Sequence, residues 1–258
     1  MLVLLSPSKS VNEKDRPQFA IKETAPHFTN VTNEIRKTLQ KMTVNELETQ
    51  LDVSEDLAEL NYKRYQAWDD LDEKAAAWLY DGDVFSGFDS YSLSQSEAQF
   101  AQDHIQIVSG LYGLLRPSDR IKPYRLEMKT KLAGSWGADL YDAWQDILAE
   151  KITKSKLRVV VMCASREYAK AIGELPDSIR IITPRFFIQT DDGLKERGLF
   201  SKFMRGRYAR WIVDQRVTNP RGLHNFALED VRYDSSRSNE RELAFILPKG
   251  FTLKGRLS

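Results

Sequence analysis

Residues Leu157 to Ser165 read LRVVVMCAS. From Val159 to Ala164 every side chain is apolar. Such a run has no polar face, so it predicts a short strand buried on both sides, not one alternating between core and solvent. Ser165 stands where it can cap a following helix, REYAKAI. Working outward, Leu2 to Leu5 form a second short apolar run, and HIQIVSG from His104 a third. SIRIIT and RFFIQT read as two strands separated by Pro184, and further strands are expected near 226–233 and 242–247. Helical spacing or caps mark 31–41 (capped by Asn30), Thr43 to about Leu51, 55–67, 72–80, Ser94 to about Asp103, Asp139 to about Lys154 and about 200–216. TVNE and SQSE are capping boxes. Residues 15–29, with Pro17 and Pro26, read as an ordered loop. Strands alternate with helices only in part, so the expected fold is α+β (mixed α/β), a mixed sheet surrounded by helices.

With 258 residues and no repeat or flexible linker, residues 1–258 are expected to form one domain. No apolar stretch is long enough for a membrane span, and MLVLLSPSKS lacks the basic start of a signal peptide. A single cysteine, Cys163, excludes an internal disulfide framework and fits a reducing cytoplasm. The net charge of +1 conceals segregation. Residues 43–103 carry fifteen acidic and three basic side chains, whereas 195–221 carry eight basic and two acidic. That pattern suits a basic face for a polyanion, or an acidic segment that neutralises a basic one.

Three constellations are candidates for chemistry. SGLYGLLRPSDRIKPYRLEM, Ser109–Met128, sets Gly110 and Gly113 around Leu111 and Tyr112, then places Arg116, Arg120, Lys122 and Arg125 among two prolines. Glycine-closed turns offer backbone N–H groups to phosphate, and the cations add charge, the logic of a helix-hairpin-helix-like element. The Gly-x-x-Gly spacing differs from the usual Gly-x-Gly, and a rigid solvated loop is the alternative. In the second, KERGLFSKFMRGRYARWIVDQR, Phe200, Met204, Tyr208 and Trp211 share one helix face. Lys202 and Arg205 lie opposite, Arg210 on a flank and Arg207 inside the apolar arc. The third lies after two strands: Ser6, Ser8 and Lys9 follow the first, and Ser165, Glu167 and Tyr168 follow LRVVVMCAS. Ligands of α/β sheets bind beyond strand C-termini, so these ends are candidates for one cleft. The three histidines have no metal-ligand spacing, and no phosphate or dinucleotide loop is present, so neither metal nor cofactor is expected.

Nearly the whole chain resembles the YaaA peroxide-stress family. The resemblance rests on LLSPSK, GDVFSG (Gly82–Gly87), the Ser109–Met128 stretch, LYDAW (Leu140–Trp144), ASREYAK (Ala164–Lys170), KFMRGRYARWI and DSSRSNERELAF. It implies a cytoplasmic protein of the hydrogen-peroxide response that limits iron-driven damage. It also implies DNA binding through a positively charged cleft and a helix-hairpin-helix-like element. Matching positions include Lys9, Arg116, Asp119, Tyr124, Arg125, Glu127, Ser165, Glu167, Tyr168, Lys202, Arg205 and Gly206. Ser8 replaces a usual Ala, Met162–Cys163 a usual Asn-Leu, and Arg207 a usual apolar residue.

The resulting expectation is a DNA-binding peroxide-stress protein using Gly110, Tyr112, Gly113, Arg116, Arg120, Lys122, Tyr124, Arg125, Lys202, Arg205, Arg207 and Arg210. Its backbone contacts would be largely sequence-independent, with Tyr112 or Tyr124 stacking on an exposed base. The rival is an enzyme acting on a small anionic ligand, with Lys9, Glu127, Ser165, Glu167 and Tyr168 as its catalytic candidates beside Arg205. Convergence of these six groups favours the rival, and scatter favours DNA.

Overall fold

Val159–Met162 lies inside the principal sheet, paired in parallel on both edges, and all four of its residues are buried, as a strand covered on both faces requires. The computed structural model describes residues 1–15, 22–228 and 230–252. In chain order, the first elements are β1 (Leu2–Leu5), β2 (Ser10–Val11), α1 (Thr29–Gln40), α2 (Val44–Leu51) and α3 (Glu55–Gln66). Next come β3 (Lys74–Ala75), α4 (Ala76–Leu79), β4 (Tyr80–Asp81), α5 (Asp83–Phe88) and α6 (Gln95–His104). They are followed by β5 (Ile105–Ser109), β6 (Gly113–Leu115), β7 (Arg120–Ile121), α7 (Leu140–Lys154), β8 (Val159–Met162) and α8 (Arg166–Lys170). The chain continues through β9 (Arg180–Thr190), β10 (Gly193–Lys195), α9 (Gly198–Asp214), β11 (Arg232–Asp234) and β12 (Glu242–Leu247).

The principal sheet runs β11-β12-β9-β8-β1-β5-β6, with β10 on β9. β12, β9, β8, β1 and β5 are parallel to their neighbours in that row, and antiparallel β11, β10 and β6 finish it. Register is set by pairs such as Leu2↔Val160, Val3↔Ile105 and Val159↔Arg180. This is the expected mixed sheet with surrounding helices, an α+β fold. Trp78, Trp144, Tyr65 and Tyr208 are among its largest fully buried side chains.

The capping signals at Thr43, Ser94 and Asp139 hold. Thr43, Ser94 and Asp139 each accept from the third helical N–H, and Glu46, Glu97 and Asp142 return the bond to the cap residue.

Tertiary pairing changes other expectations. SIRIIT and RFFIQT form one strand, β9, through Pro184. The β8 register ends at Ile182 and the β10 register begins at Ile188, so Pro184 falls where one edge has no neighbour. Residues 72–80 are not one helix: β3 pairs with β7 and β4 with β2, and only Ala76–Leu79 is helical. Asn30 lies inside α1, whose N-cap is Phe28, held edge-on against Trp144. Of the strand expected near 226–233, among the described residues only Arg232 and Tyr233 are extended, within β11. The loop expected at 15–29 lies partly outside the described residues.

Candidate functional site

Two strand C-termini build the site's floor. β1 ends at Leu5 and passes into Ser6-Pro7-Ser8-Lys9, while β8 ends at Met162 and passes through Cys163 to Ser165. The Ser165 N–H donates to Ser6 Oγ at 2.8 Å and ties the ends together. Ser165 occupies the N-cap position of α8, yet its side chain makes no capping bond. Its hydroxyl is therefore not committed to the helix. Ser8 Oγ donates to the Asp81 carbonyl. A Cβ on Gly82 would lie 2.4 Å from Ser8 Oγ, and the φ of +149° there also favours glycine.

The second wall depends on a close helix crossing. A Cβ on Gly87 of α5 would lie 2.1 Å from the Phe203 carbonyl, and one on Gly206 of α9 would lie 1.9 Å from the Val84 carbonyl. The glycines let α5 and α9 pack backbone against backbone, which sets Lys202 and Arg205 at the recess. Phe203, Met204, Tyr208, Ala209, Ile212 and Val213 are buried too, so α9 is apolar around much of its circumference rather than half solvated.

The third wall is the end of the Ser109–Met128 stretch and its continuation. Glu127 keeps only 10% of its side chain exposed and faces Lys9 at 2.7 Å, Arg125 at 3.5 Å and Lys129 at 3.7 Å. Glu167 accepts from the Lys129 N–H at 3.1 Å. Tyr168 is buried, which pushes its phenol pKa well above the ordinary value.

The recess is about 250 Å³ and partly open to solvent. Lys9, Glu127, Ser165, Glu167, Tyr168 and Arg205 all line it, so the six groups converge. Arg205 is its electrostatic centre. Its Nε is buried without a hydrogen-bond partner, and among the described residues no carboxylate pairs with it within 4.0 Å. Burial lowers its pKa from the ordinary value, although an arginine remains charged. The nearby Glu196 is already held by Arg185 at 2.8 Å. Arg125 likewise has a buried Nε without a partner. Desolvated cations with unused donors attract an anion, and the Lys9–Glu127 ion pair lies in the same lining. Among the described residues, no three His, Cys, Asp or Glu side chains are grouped to hold a metal ion.

The first part of the Ser109–Met128 stretch is used differently. Gly110 and Gly113 lie in a β-hairpin between β5 and β6, where Ser109 pairs with Gly113, so the expected helix-hairpin-helix-like element is strand-turn-strand here. A Cβ on Gly110 would lie 2.9 Å from the Leu126 carbonyl, and one on Gly113 2.5 Å from the Trp144 ring. Backbone N–H groups of Leu111 and Tyr112 donate to Ser109 Oγ. Tyr112 and Tyr124 are buried. Tyr112 accepts from the Lys122 N–H, and Tyr124 bonds Tyr80 at 2.7 Å and Ser109 at 2.6 Å. Arg116 pairs with Asp119, Arg120 with Glu23 and Glu73, and the Lys122 ammonium donates to the carbonyls of Trp68 and Asp69. Arg210 is held by Asp214 at 2.6 Å and by the Asp89 carbonyl at 2.8 Å. Arg207 is half-buried and does not line the recess.

Sequence reasoning missed Lys129 and Asp83. Asp83 follows Gly82 at the start of α5 and lines the recess. Lys129 belongs to no spacing pattern; its proximity to Glu127 in sequence was the available signal.

The structure defines an α+β protein with a recess lined by charged side chains of both signs beyond the ends of two central parallel strands. Residues 1–237 match the family described as peroxide stress protein YaaA, and the chain belongs to that family. A UPF0246 protein of Burkholderia ambifaria is 38% identical over 250 residues, which span 93% of this chain and 96% of the relative. Relatives from Burkholderia multivorans and Burkholderia cenocepacia are 36% and 37% identical over the same shares. The peroxide-stress role thus holds at the level of the family. No helix among the described residues is long and apolar enough to cross a membrane.

Proposed function

We propose that this peroxide-stress protein acts by binding a phosphate-bearing anionic ligand in the recess between the β1 and β8 ends and α9. One observation carries the reading: the largely buried Arg205, with no carboxylate partner among the described residues and an unpaired Nε, lines a cavity together with serine hydroxyls and the Lys9–Glu127 pair. An internal salt bridge would quench such a cation, whereas an incoming anion supplies the missing partner. Lys9 and Glu127 then sit beside the bound group as candidate acid–base groups, with Ser165, Glu167 and Tyr168 shaping the wall.

A second reading takes DNA as the ligand, gripped through its phosphates without base readout. Its support is the set of exposed cations around the recess, Lys9, Lys129, Arg166 and Lys202. Coating DNA in this way would limit iron-driven damage by shielding the strand, in a cytoplasmic protein. The test is a calorimetric titration of the full chain with inorganic phosphate, paired with anisotropy titrations of duplex, single-stranded and branched DNA at two salt concentrations. Both are repeated on Arg205→Met and Arg125→Ala. Phosphate binding abolished by Arg205→Met supports the first reading. DNA binding with a steep salt dependence that Arg125→Ala reduces favours the second. Binding of neither ligand, or binding indifferent to both substitutions, removes the recess from the function.

A further inference from the structure

Resting on the recess reading above, we infer that the recess selects a terminal phosphate monoester over a phosphodiester embedded in a chain. The first argument is charge. Lys9, Lys202 and Arg205 line the recess with Asp83, Glu127 and Glu167, and Arg125 and Lys129, which pair with Glu127 from outside the lining, leave the whole set with an excess of two positive charges. A monoester carries about −1.5 to −2 charges at neutral pH, whereas a diester carries one.

The second argument is donors. Arg205 lines the recess without a carboxylate partner among the described residues, Ser165 Oγ makes no capping bond, and Ser6 Oγ accepts from Ser165 N–H while keeping its own hydrogen to donate. The three terminal oxygens of a monoester can take up these donors, whereas a diester leaves only two unesterified oxygens.

The third argument is shape. Ser6, Cys163 and Tyr168 are buried at the floor and sides, so substituents leave by the mouth. A volume of about 250 Å³ admits a phosphoryl group with a few neighbouring atoms, and a diester must bring two substituents out of the same opening. The monoester source is a small phosphorylated molecule or the phosphorylated end of a nucleic-acid strand. Both present the same group.

The test uses calorimetry on the full chain with phenyl phosphate, methyl phenyl phosphate and benzoate. Phenyl phosphate should bind at least tenfold more tightly than methyl phenyl phosphate, with benzoate the weakest. Arg205→Met should abolish the binding, and Lys202→Ala, at an exposed position that does not threaten folding, should weaken it several-fold. Equal binding of the two phosphates, still lost in Arg205→Met, overturns monoester selection and leaves the recess reading intact. No binding of either phosphate, or binding unchanged in both variants, overturns the recess reading itself. A competition arm then separates the sources. If a 5′-phosphorylated duplex displaces phenyl phosphate and its 5′-hydroxyl counterpart does not, the monoester is a strand end. If neither duplex displaces it, the monoester belongs to a small molecule.

Discussion

The hairpin stretch from Gly110 to Lys122 and the strand-end recess use the same residue types with opposite outcomes. In the stretch, charge is answered inside the molecule: Asp119, 1% exposed, accepts from the Arg116 N–H, the Arg116 guanidinium and Thr24 Oγ1. Lys122 is bound to two carbonyls. In the recess, Arg205 is desolvated with no such answer. Glycines differ likewise. Gly110 and Gly113 bring the hairpin against Leu126 and Trp144, whereas the equally close approaches at Gly82, Gly87 and Gly206 lie in the walls of a cavity. A concentration of arginine and glycine in sequence therefore marks either a brace or a site, and the presence of internal partners decides which.

The largest effect should come from breaking the brace. Asp119→Ala removes a buried carboxylate with several donors and should cost about 3 kcal/mol, the lower end for a broken buried pair, because Arg116 is half-exposed. Chemical denaturation measures it, and a loss below 1 kcal/mol would mean that Asp119 does not pin the stretch. Gly206→Ala tests the scaffold of the recess. The added methyl meets the Val84 carbonyl at 1.9 Å, so α5 and α9 must separate at a cost of about 1–3 kcal/mol. Phosphate binding should fall with it, since Lys202 and Arg205 ride on α9. Unchanged stability would show that the crossing is looser than its geometry implies.

Arg205→Met sharpens the contrast by moving the other way. Removing a desolvated cation without an internal partner should leave stability unchanged or raise it by about 1 kcal/mol, the pattern of a site kept for function at some cost to stability. A loss of more than 1 kcal/mol in the same denaturation experiment would make Arg205 a structural residue and weaken the ligand reading.

These differences explain what could be read from the sequence. Signals that live within a few residues survived into the structure: the apolar run at β8 and the capping boxes at Thr43 and Ser94. The expected convergence of the two strand ends is also seen, since Lys9 and Ser165–Tyr168 line one recess although they are far apart in the chain. What sequence could not supply was the identity of distant partners. Lys122 looked free for phosphate, but it donates to the carbonyl of Trp68, 54 residues earlier. Pro184 looked like a break because the gap between two strand registers has no sequence signature. Ser165 looked like an ordinary cap because its geometry is that of a cap, and only the missing hydrogen bond shows otherwise.

The smallest expected effect concerns the cysteine at the recess floor. In a peroxide-stress protein, a thiol lining the site invites a sensing role, and its environment argues against one. Cys163 is fully buried, and burial pushes its pKa up to about 12, with Arg205 opposing that shift only in part. The thiolate is the reactive form, so at pH 8 almost none is present, and the reactive fraction grows only as the pH approaches the raised value. Native protein treated with iodoacetamide or hydrogen peroxide at pH 8 should therefore keep Cys163 unmodified by mass spectrometry, while unfolded protein should react at once. Arg205→Met removes the one charge that favours the thiolate, so it should leave this protection intact. Modification of the native thiol within minutes, slowed by Arg205→Met, would instead make Arg205 an activator of Cys163. The recess would then be a redox site rather than an anion site.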